Sequence, residues 1–199
     1  MKVALLSVLS KKEHQLVKGY QIAKNNVIFH EGDFCENIGI LVSGKIDIVS
    51  YSFEGKELLL NSLKPGDIFG NNLLFSSEPI YRGDVISKEK CVIAFISKDN
   101  LIYLLQNNRD FLNLYLKEQS NMGKALNARI QLLSFTNAEE RLFYYASKNE
   151  NQIIFKNVTS LAATIGVQRE TLSRLLTSLT KRHLIKKEKG KITILKKKR

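Results

Sequence analysis

The sequence predicts an α+β chain: an N-terminal antiparallel β-roll (jelly roll), one long helix, and a small C-terminal domain of helices closed by a β-hairpin. Short β-branched and aromatic runs separated by turn residues fill positions 27–97, a pattern typical of strands. A helical pattern begins near Leu101, breaks at Asn107 and Asn108, and restarts as a long run without proline over positions 110–135. Shorter segments with a helical pattern follow, and a β-hairpin comes after them. The predicted domains are therefore 1–107, 108–135 and 136–199.

The roll is predicted from the spacing of its turns. Gly32, Gly44, Gly55 and Gly66 lie 12, 11 and 11 residues apart. This is the interval expected when strands of about five residues each end in a turn that needs a permissive backbone. In the run IDIVSY the apolar residues do not alternate perfectly, which indicates either a bulge near Val49 or burial on both faces.

The long helix carries a narrow heptad stripe. Its positions alternate four and three residues apart: Leu112, Leu116, Gln119, Gly123, Leu126, Ile130 and Leu133. Such a stripe favours pairing with a second copy of the helix over packing on its own domain, so we expect a homodimer. Gln119 and Gly123 interrupt the stripe, and they either let two backbones approach closely or weaken its middle.

Positive charge is concentrated in the last third of the chain. The whole chain carries +12, whereas residues 136–199 hold 15 Lys+Arg and 5 Asp+Glu, a net charge of +10. Lys and Arg near phosphates release counterions on binding, so this asymmetry indicates a polyanion-binding domain joined to a nearly neutral one. A solvated basic tail is the simpler alternative, because residues 196–199 supply +4 of this charge, but the rest of the segment still carries +6.

The run NVTSLAATIGVQRETLSRLLTSLTKRHLI predicts a helix-turn-helix. Asn157 can cap a first helix, Gly166 supplies a left-handed turn, and a second helix starts at about Gln168. The second helix buries four leucines at helical spacing: Leu172, Leu175, Leu176 and Leu179. Its opposite face is polar and carries the residue types that read bases in a major groove: Arg169, Glu170, Ser173 and Arg174.

A β-hairpin in LIKKEKGKITIL, closed near Lys189 and Gly190, completes a winged helix-turn-helix. Basic and polar residues at its edges would contact DNA phosphates and fix register without reading sequence. The predicted phosphate contacts are Gln168, Thr171, Lys181, Arg182, Lys186, Lys187 and Lys189. The sequence therefore predicts a protein that binds double-stranded DNA.

The chain resembles the Crp/Fnr superfamily of transcriptional regulators over nearly its full length. IFHEGD, LVSGKIDI and KPGDIFG resemble the signature turns of its cyclic-nucleotide-binding roll, and GVQRETLSRLL resembles its recognition helix. The resemblance implies a dimerisation helix, a palindromic promoter site and RNA polymerase as a partner. It implies a TGTGA-like half-site through Arg169, Glu170 and Arg174, or a TTGAT-like half-site through Glu170, Ser173 and Arg174, and the sequence satisfies both patterns.

The expected effector pocket departs from the family members that bind cyclic AMP. Gly70 and Arg82 match those members, but Asn71 replaces an acidic residue and Gly83 replaces a serine. On the long helix, Leu126 and Asn127 stand where those members have two residues with hydroxyl groups. The full candidate set is Gly70, Asn71, Asn72, Arg82, Gly83, Leu126 and Asn127. These departures argue against cyclic AMP and favour another small effector or none, with a cyclic-nucleotide-responsive regulator as the alternative.

Other cofactors and functions have less support. An iron–sulfur cluster needs four cysteine ligands, whereas Cys35 and Cys91 are the only cysteines and we interpret both as buried apolar residues. The histidines are too scattered to indicate haem: His14, His30 and His183. A catalytic cupin site would need converging metal ligands, so neither a metal nor an enzyme is expected.

Two further expectations concern partners and location. A regulatory module acting on protein partners, as similar rolls do in kinases and channels, would leave the basic winged helix unexplained. The apolar runs are shorter than the roughly 18 residues that a membrane span needs. The first residues of the sequence do not have the arrangement of a secretory signal peptide. We therefore expect a cytoplasmic protein.

Overall fold

The computed structural model describes residues 3–195, and the chain divides into two compact units, Met1–Glu118 and Gln119–Arg199. This division falls within the long helix, at a position where the sequence gives no break in the helical pattern. The boundaries at 107/108 and 135/136 stay a prediction.

Antiparallel strands form two four-stranded sheets in the first unit, which confirms the predicted β-roll. The strands are β1 (Lys18–Ile22), β2 (Val27–Phe29), β3 (Asn37–Ser43), β4 (Ile46–Tyr51), β5 (Glu57–Leu63), β6 (Ile68–Phe69), β7 (Asp84–Ser87) and β8 (Cys91–Ser97). Their order is β1-β8-β3-β6 in one sheet and β2-β7-β4-β5 in the other. The apolar inner faces of both sheets contribute to one core.

Both interpretations of the irregular strand β4 describe part of what is observed. The pairing of β4 with β5 shifts register between Ile48 and Val49, which is the expected bulge. Consecutive residues Ile46 and Asp47 are both buried, so the strand is also covered on both faces. The buried carboxylate of Asp47 accepts a 2.6 Å hydrogen bond from the Ser62 hydroxyl.

Helices flank the roll at both ends of its sequence. Helix α1 (Ala4–Ser7) and a 3₁₀ turn (Glu13–Leu16) precede β1, and α2 (Lys98–Asn107) and α3 (Arg109–Ser134) follow β8. The break between α2 and α3 lies at Asn108, as the sequence predicts. The Asn108 side chain accepts a hydrogen bond from the Phe111 amide at 2.9 Å and donates one to the Val8 carbonyl at 3.1 Å.

The second unit contains the remainder of α3 and a winged helix-turn-helix. Its other elements are α4 (Ala138–Ser147), β9 (Gln152–Ile154), α5 (Val158–Ile165), α6 (Arg169–Lys181), β10 (Ile185–Glu188) and β11 (Lys191–Ile194). The hairpin β10–β11 turns at Lys189–Gly190, as expected. Strand β9 is not predicted from the sequence, because three residues carry too little pattern and the strand depends on pairing with β11.

A separate hydrophobic core holds the second unit together. Leu172, Leu176 and Leu179 of α6 are fully buried, whereas Leu175 is only half-buried at the edge of the core. They pack with residues of α4, α5 and the wing sheet. Among residues 3–195, none of the helices is both long and apolar enough to cross a membrane.

Candidate nucleic-acid interface

The first helix of the predicted helix-turn-helix begins with a complete capping box. The Asn157 side chain accepts a hydrogen bond from the Ser160 amide at 2.8 Å. In return the Ser160 hydroxyl accepts one from the Asn157 amide at 3.3 Å. Two amides at the helix start are thereby satisfied, which fixes the first residue of α5 where the sequence predicts it.

The turn between α5 and α6 depends on Gly166, which has φ +73° and lies in the left-handed region. Its neighbour Val167 donates a 3.0 Å hydrogen bond to the Ala162 carbonyl, and this bond closes the end of α5. A Cβ atom on Gly166 would lie 2.5 Å from Leu133 Cδ2 and 3.3 Å from Arg141 Nη1. Both the backbone conformation and the surrounding space therefore require glycine.

Arg141 on α4 connects this turn to the end of α3. Its guanidinium donates to the Gly166 carbonyl at 2.9 Å, the Phe135 carbonyl at 2.9 Å and the Leu133 carbonyl at 3.2 Å. One side chain thus donates hydrogen bonds to carbonyl groups both at the end of α3 and in the turn between α5 and α6. Arg141 carries no sequence signal of this role, since an arginine in a helix is ordinarily a surface residue.

The recognition helix α6 presents its polar face to solvent. Gln168 is its N-cap, and the four predicted base readers Arg169, Glu170, Ser173 and Arg174 are all exposed. Arg169 and Glu170 lie near each other, with 3.8 Å between Nη1 and Oε1, and about two thirds of each side chain is accessible. The structure brings the four readers together on two successive turns of one helix, where they could meet base edges.

A shallow groove runs along α6 from the second turn of the readers toward the end of the helix. Ser173 and Arg174 line it with Thr177, Lys181 and Arg182. The lining consists of hydroxyl and cationic side chains, which are the groups that ordinarily bind phosphate oxygens.

The predicted phosphate contacts are all exposed, but two of them already have acidic partners. Arg182 is hydrogen-bonded to Glu139 of α4 at 2.9 and 3.4 Å, so it ties the end of α6 to the start of α4. Lys186 pairs with Glu188 at 2.8 Å on the wing. The hydrogen bond from Lys186 lowers the pKa of Glu188, and the same bond raises the pKa of Lys186.

The remaining phosphate candidates surround the recognition helix. Gln168 and Thr171 lie at its start, Lys181 at its end, and Lys187 and Lys189 on the wing. Each of these five side chains is exposed, and none lies among the residues of the apolar core.

The expected effector residues of the first unit occupy two loops of the roll. Gly70 has φ +77° after β6, and a Cβ there would lie 2.9 Å from the Asn37 carbonyl oxygen. Asn71 is buried, while the next residue, Asn72, is exposed. Near β7, Arg82 is exposed and its guanidinium donates to the Glu78 carboxylate at 2.6 Å.

Gly83 is buried where a side chain does not fit. A Cβ atom at this position would lie 2.4 Å from the Val49 carbonyl oxygen. The serine of cyclic-AMP-binding members would therefore require β4 to move. The other two candidates, Leu126 and Asn127, belong to the second unit and are exposed on α3.

Both cysteines are buried free thiols, as interpreted from the sequence. Burial raises the pKa of the Cys35 thiol, which keeps it in the less reactive protonated form. Within residues 3–195 the histidine, cysteine and acidic side chains form no cluster able to hold a metal ion.

Comparison with known proteins matches both units to established families. Residues 21–108 match the cyclic nucleotide-binding domain, and residues 138–199 match the Crp-like helix-turn-helix domain. A cyclic nucleotide-binding domain followed by a long helix and a Crp-like helix-turn-helix domain is the domain order of one group of transcriptional regulators. The chain belongs to the Crp/Fnr superfamily. It is accordingly a DNA-binding transcriptional regulator and not an enzyme.

Relatives within the Crp/Fnr superfamily are distant but extend over most of the chain. The cAMP-activated global transcriptional regulator CRP of Pasteurella multocida is 24% identical over 176 residues, covering 83% of this chain and 84% of the relative. The anaerobic regulatory protein of Bacillus subtilis is 26% identical over 186 residues, covering 87% and 78%. The solved structure of the C200S variant of CprK complexed with OCPA has a TM-score of 0.72 at 18% identity, covering 92% of this chain and 88% of that one.

Gly166→Ala should destabilise the second unit, because alanine tolerates positive φ poorly and its methyl group would overlap Leu133. We expect a loss of about 1–3 kcal/mol in unfolding free energy, measured by urea denaturation. Gly19→Ala is the matched control, since none of the described residues lies within 4 Å of a Cβ added at Gly19. Equal stability of the two variants would show that the turn does not require glycine.

Proposed function

We propose that this Crp/Fnr regulator binds a palindromic promoter site as a homodimer and reads each half-site through α6. The observation that carries the proposal is the exposed cluster of Arg169, Glu170, Ser173 and Arg174 on the face opposite three fully buried leucines of the same helix. Burial of these leucines fixes the rotation of α6, so the four side chains project together from one face.

The chemistry of the four side chains favours a GA step in the half-site. Arginine forms two hydrogen bonds with guanine O6 and N7, and glutamate accepts one from cytosine N4 on the opposite strand. We assign Arg174 and Glu170 to this step. Arg169 and Ser173 then decide between a TGTGA-like and a TTGAT-like half-site.

Exposed apolar residues along α3 support the homodimer. Leu126 is 61% and Ile130 58% accessible in the single chain, and Leu116 and Leu133 are exposed as well. Apolar side chains in such a row are rarely left in water on one helix. A Cβ at Gly123 would meet none of the described residues within 4 Å, so this position leaves room for a close approach by a second helix.

Three features argue that the signal is a small effector other than cyclic AMP, or that no effector is needed. Asn71 offers a neutral group where a carboxylate would bind ribose hydroxyls. The Arg82 guanidinium is bonded to Glu78, and the Val49 carbonyl blocks a side chain at Gly83. The regulator would act with RNA polymerase at its promoters.

Glu170→Ala and Arg174→Ala should each reduce discrimination between the palindromic site and scrambled DNA by about 1–3 kcal/mol. Fluorescence anisotropy with both candidate palindromes measures this. Lys187→Ala is the control, because removing a phosphate-binding cation from the wing should lower the salt slope and leave discrimination intact. Wild-type discrimination in both helix variants would contradict the assignment of α6.

Leu126→Asp should convert the homodimer to a monomer at micromolar concentration. In a dimer paired through the heptad stripe of α3, the substitution would place two like charges between the two helices. Sedimentation velocity measures the change. Asn121→Asp adds the same charge to an exposed position on the opposite face of α3, so it should leave the dimer intact. A monomeric wild-type chain under these conditions would contradict the proposed dimer.

Cyclic AMP should leave the thermal unfolding midpoint unchanged, because a ligand stabilises a protein only by binding its folded state. Differential scanning fluorimetry with and without cyclic AMP checks this, with a palindromic DNA duplex as the positive control. A saturable rise of the midpoint with cyclic AMP would show that the altered pocket still accepts the nucleotide.

A further inference from the structure

A groove of about 620 Å³ in the second unit lies apart from the DNA-reading face of α6. It is lined by residues from the last half of α3, from α4 and the two residues that follow it, and from the end of α5. Three of the lining residues are cations: Lys124, Arg129 and Lys148. None of the twelve described lining residues is Asp or Glu. Within the described part of the chain, the groove therefore offers positive charge without an acidic residue on its wall.

Apolar and aromatic groups form much of the remaining wall, and the other lining residues are the uncharged polar Asn127, Gln131, Asn149 and Thr164. Leu132 is buried at its base, and Ala128, Tyr144 and Tyr145 line its walls. Lys148 Nζ lies 5.4 Å from the centre of the Tyr144 ring, so the cation stands directly over an aromatic surface. The Tyr144 hydroxyl is in turn hydrogen-bonded to Gln131 of α3. The two helices that form the groove are thus connected at one wall.

Pairing of two chains through the α3 stripe would not fill this groove. Ala128 and Ile130 differ by about 200° around a helix with 3.6 residues per turn, and Lys124 and Leu126 do likewise. The groove and the exposed stripe therefore lie on opposite faces of α3. A ligand could enter the groove in the proposed homodimer.

We propose that the groove binds a small amphipathic carboxylate, with its apolar body on Ala128, Leu132 and the tyrosine rings and its carboxylate among the three cations. Charge complementarity supports the anionic head, because charge-assisted hydrogen bonds from Lys and Arg are the strong ones. The mostly apolar wall supports the apolar body, since ligand sites combine such walls with a few polar groups.

Arg129 gives this site a route to the recognition helix. Its guanidinium donates to the Ala163 carbonyl at 3.0 Å and also to the Thr164 carbonyl. These carbonyls end α5 immediately before the Gly166 turn. A bound carboxylate would compete with them for the same N–H groups, and release of Arg129 would loosen the turn that positions α6. The ligand should therefore lower DNA affinity, a consequence that rests on the proposed function.

The test uses octanoate and the full chain in isothermal titration calorimetry without DNA. We expect one octanoate to bind per chain. The double variant Lys124→Gln/Lys148→Gln should bind octanoate at least about tenfold more weakly than the wild-type chain. Lys187→Gln/Lys189→Gln removes two exposed cations from the wing and should bind like wild type. The neutral 1-octanol should bind the wild-type chain far more weakly than octanoate.

A second variant tests the groove without changing its charge. Ala128→Trp places a bulky side chain in the space, at an exposed helix position that tolerates it, and should abolish octanoate binding. Circular dichroism melts verify that each variant is folded. Wild-type octanoate affinity in both groove variants, or no binding to the wild-type chain, would overturn the site.

Fluorescence anisotropy with palindromic DNA then tests the coupling. Saturating octanoate should lower the DNA affinity of the wild-type chain severalfold and leave that of Ala128→Trp unchanged. Unchanged affinity in the wild-type chain would overturn the role of Arg129. Failure of the proposed function would show separately, as absence of DNA binding without octanoate, and calorimetry decides the groove in either case.

Discussion

The second unit depends on the carbonyl groups left at the end of α5. The last carbonyls of a helix have no regular partner within it and need donors from elsewhere. Backbone amides of the Gly166 turn supply some of these donors, and Arg141, from α4, and Arg129, from α3, supply others. Because both arginines lie on helices that precede the helix-turn-helix, groups outside the motif help to fix the direction of α6, together with the turn and the buried leucines of α6. The DNA-reading face therefore depends on α3 and α4.

Much of the fold could be predicted from sequence because it follows from local chemistry. Asn157 and Gly166 specify a helix start and a helix end through their own side chain and backbone, so the predicted bounds of α5 are correct. The same holds for the turn at Lys189–Gly190 and the break at Asn108. Family resemblance adds the order of the domains, which local patterns alone do not give.

Features that depend on contacts between distant residues could not be predicted. The pattern around Arg182 shows an exposed cation, and only the folded chain brings Glu139 against it from 43 residues away. Arg129 and Arg141 have helix-surface patterns, and their carbonyl partners at the end of α5 are identified only when α3 and α4 pack near it in the folded chain.

The buried glycine beside the β4 bulge limits how this regulator could change its signal over evolutionary time. Gaining a serine at Gly83 would not be a single neutral step, because the Val49 carbonyl already occupies the required volume and its position follows from the register shift in β4. A lineage would first have to alter the backbone of the roll. Single substitutions in the loop therefore give no direct path to the cyclic-AMP type of pocket, and new specificities would arise more readily elsewhere in the chain.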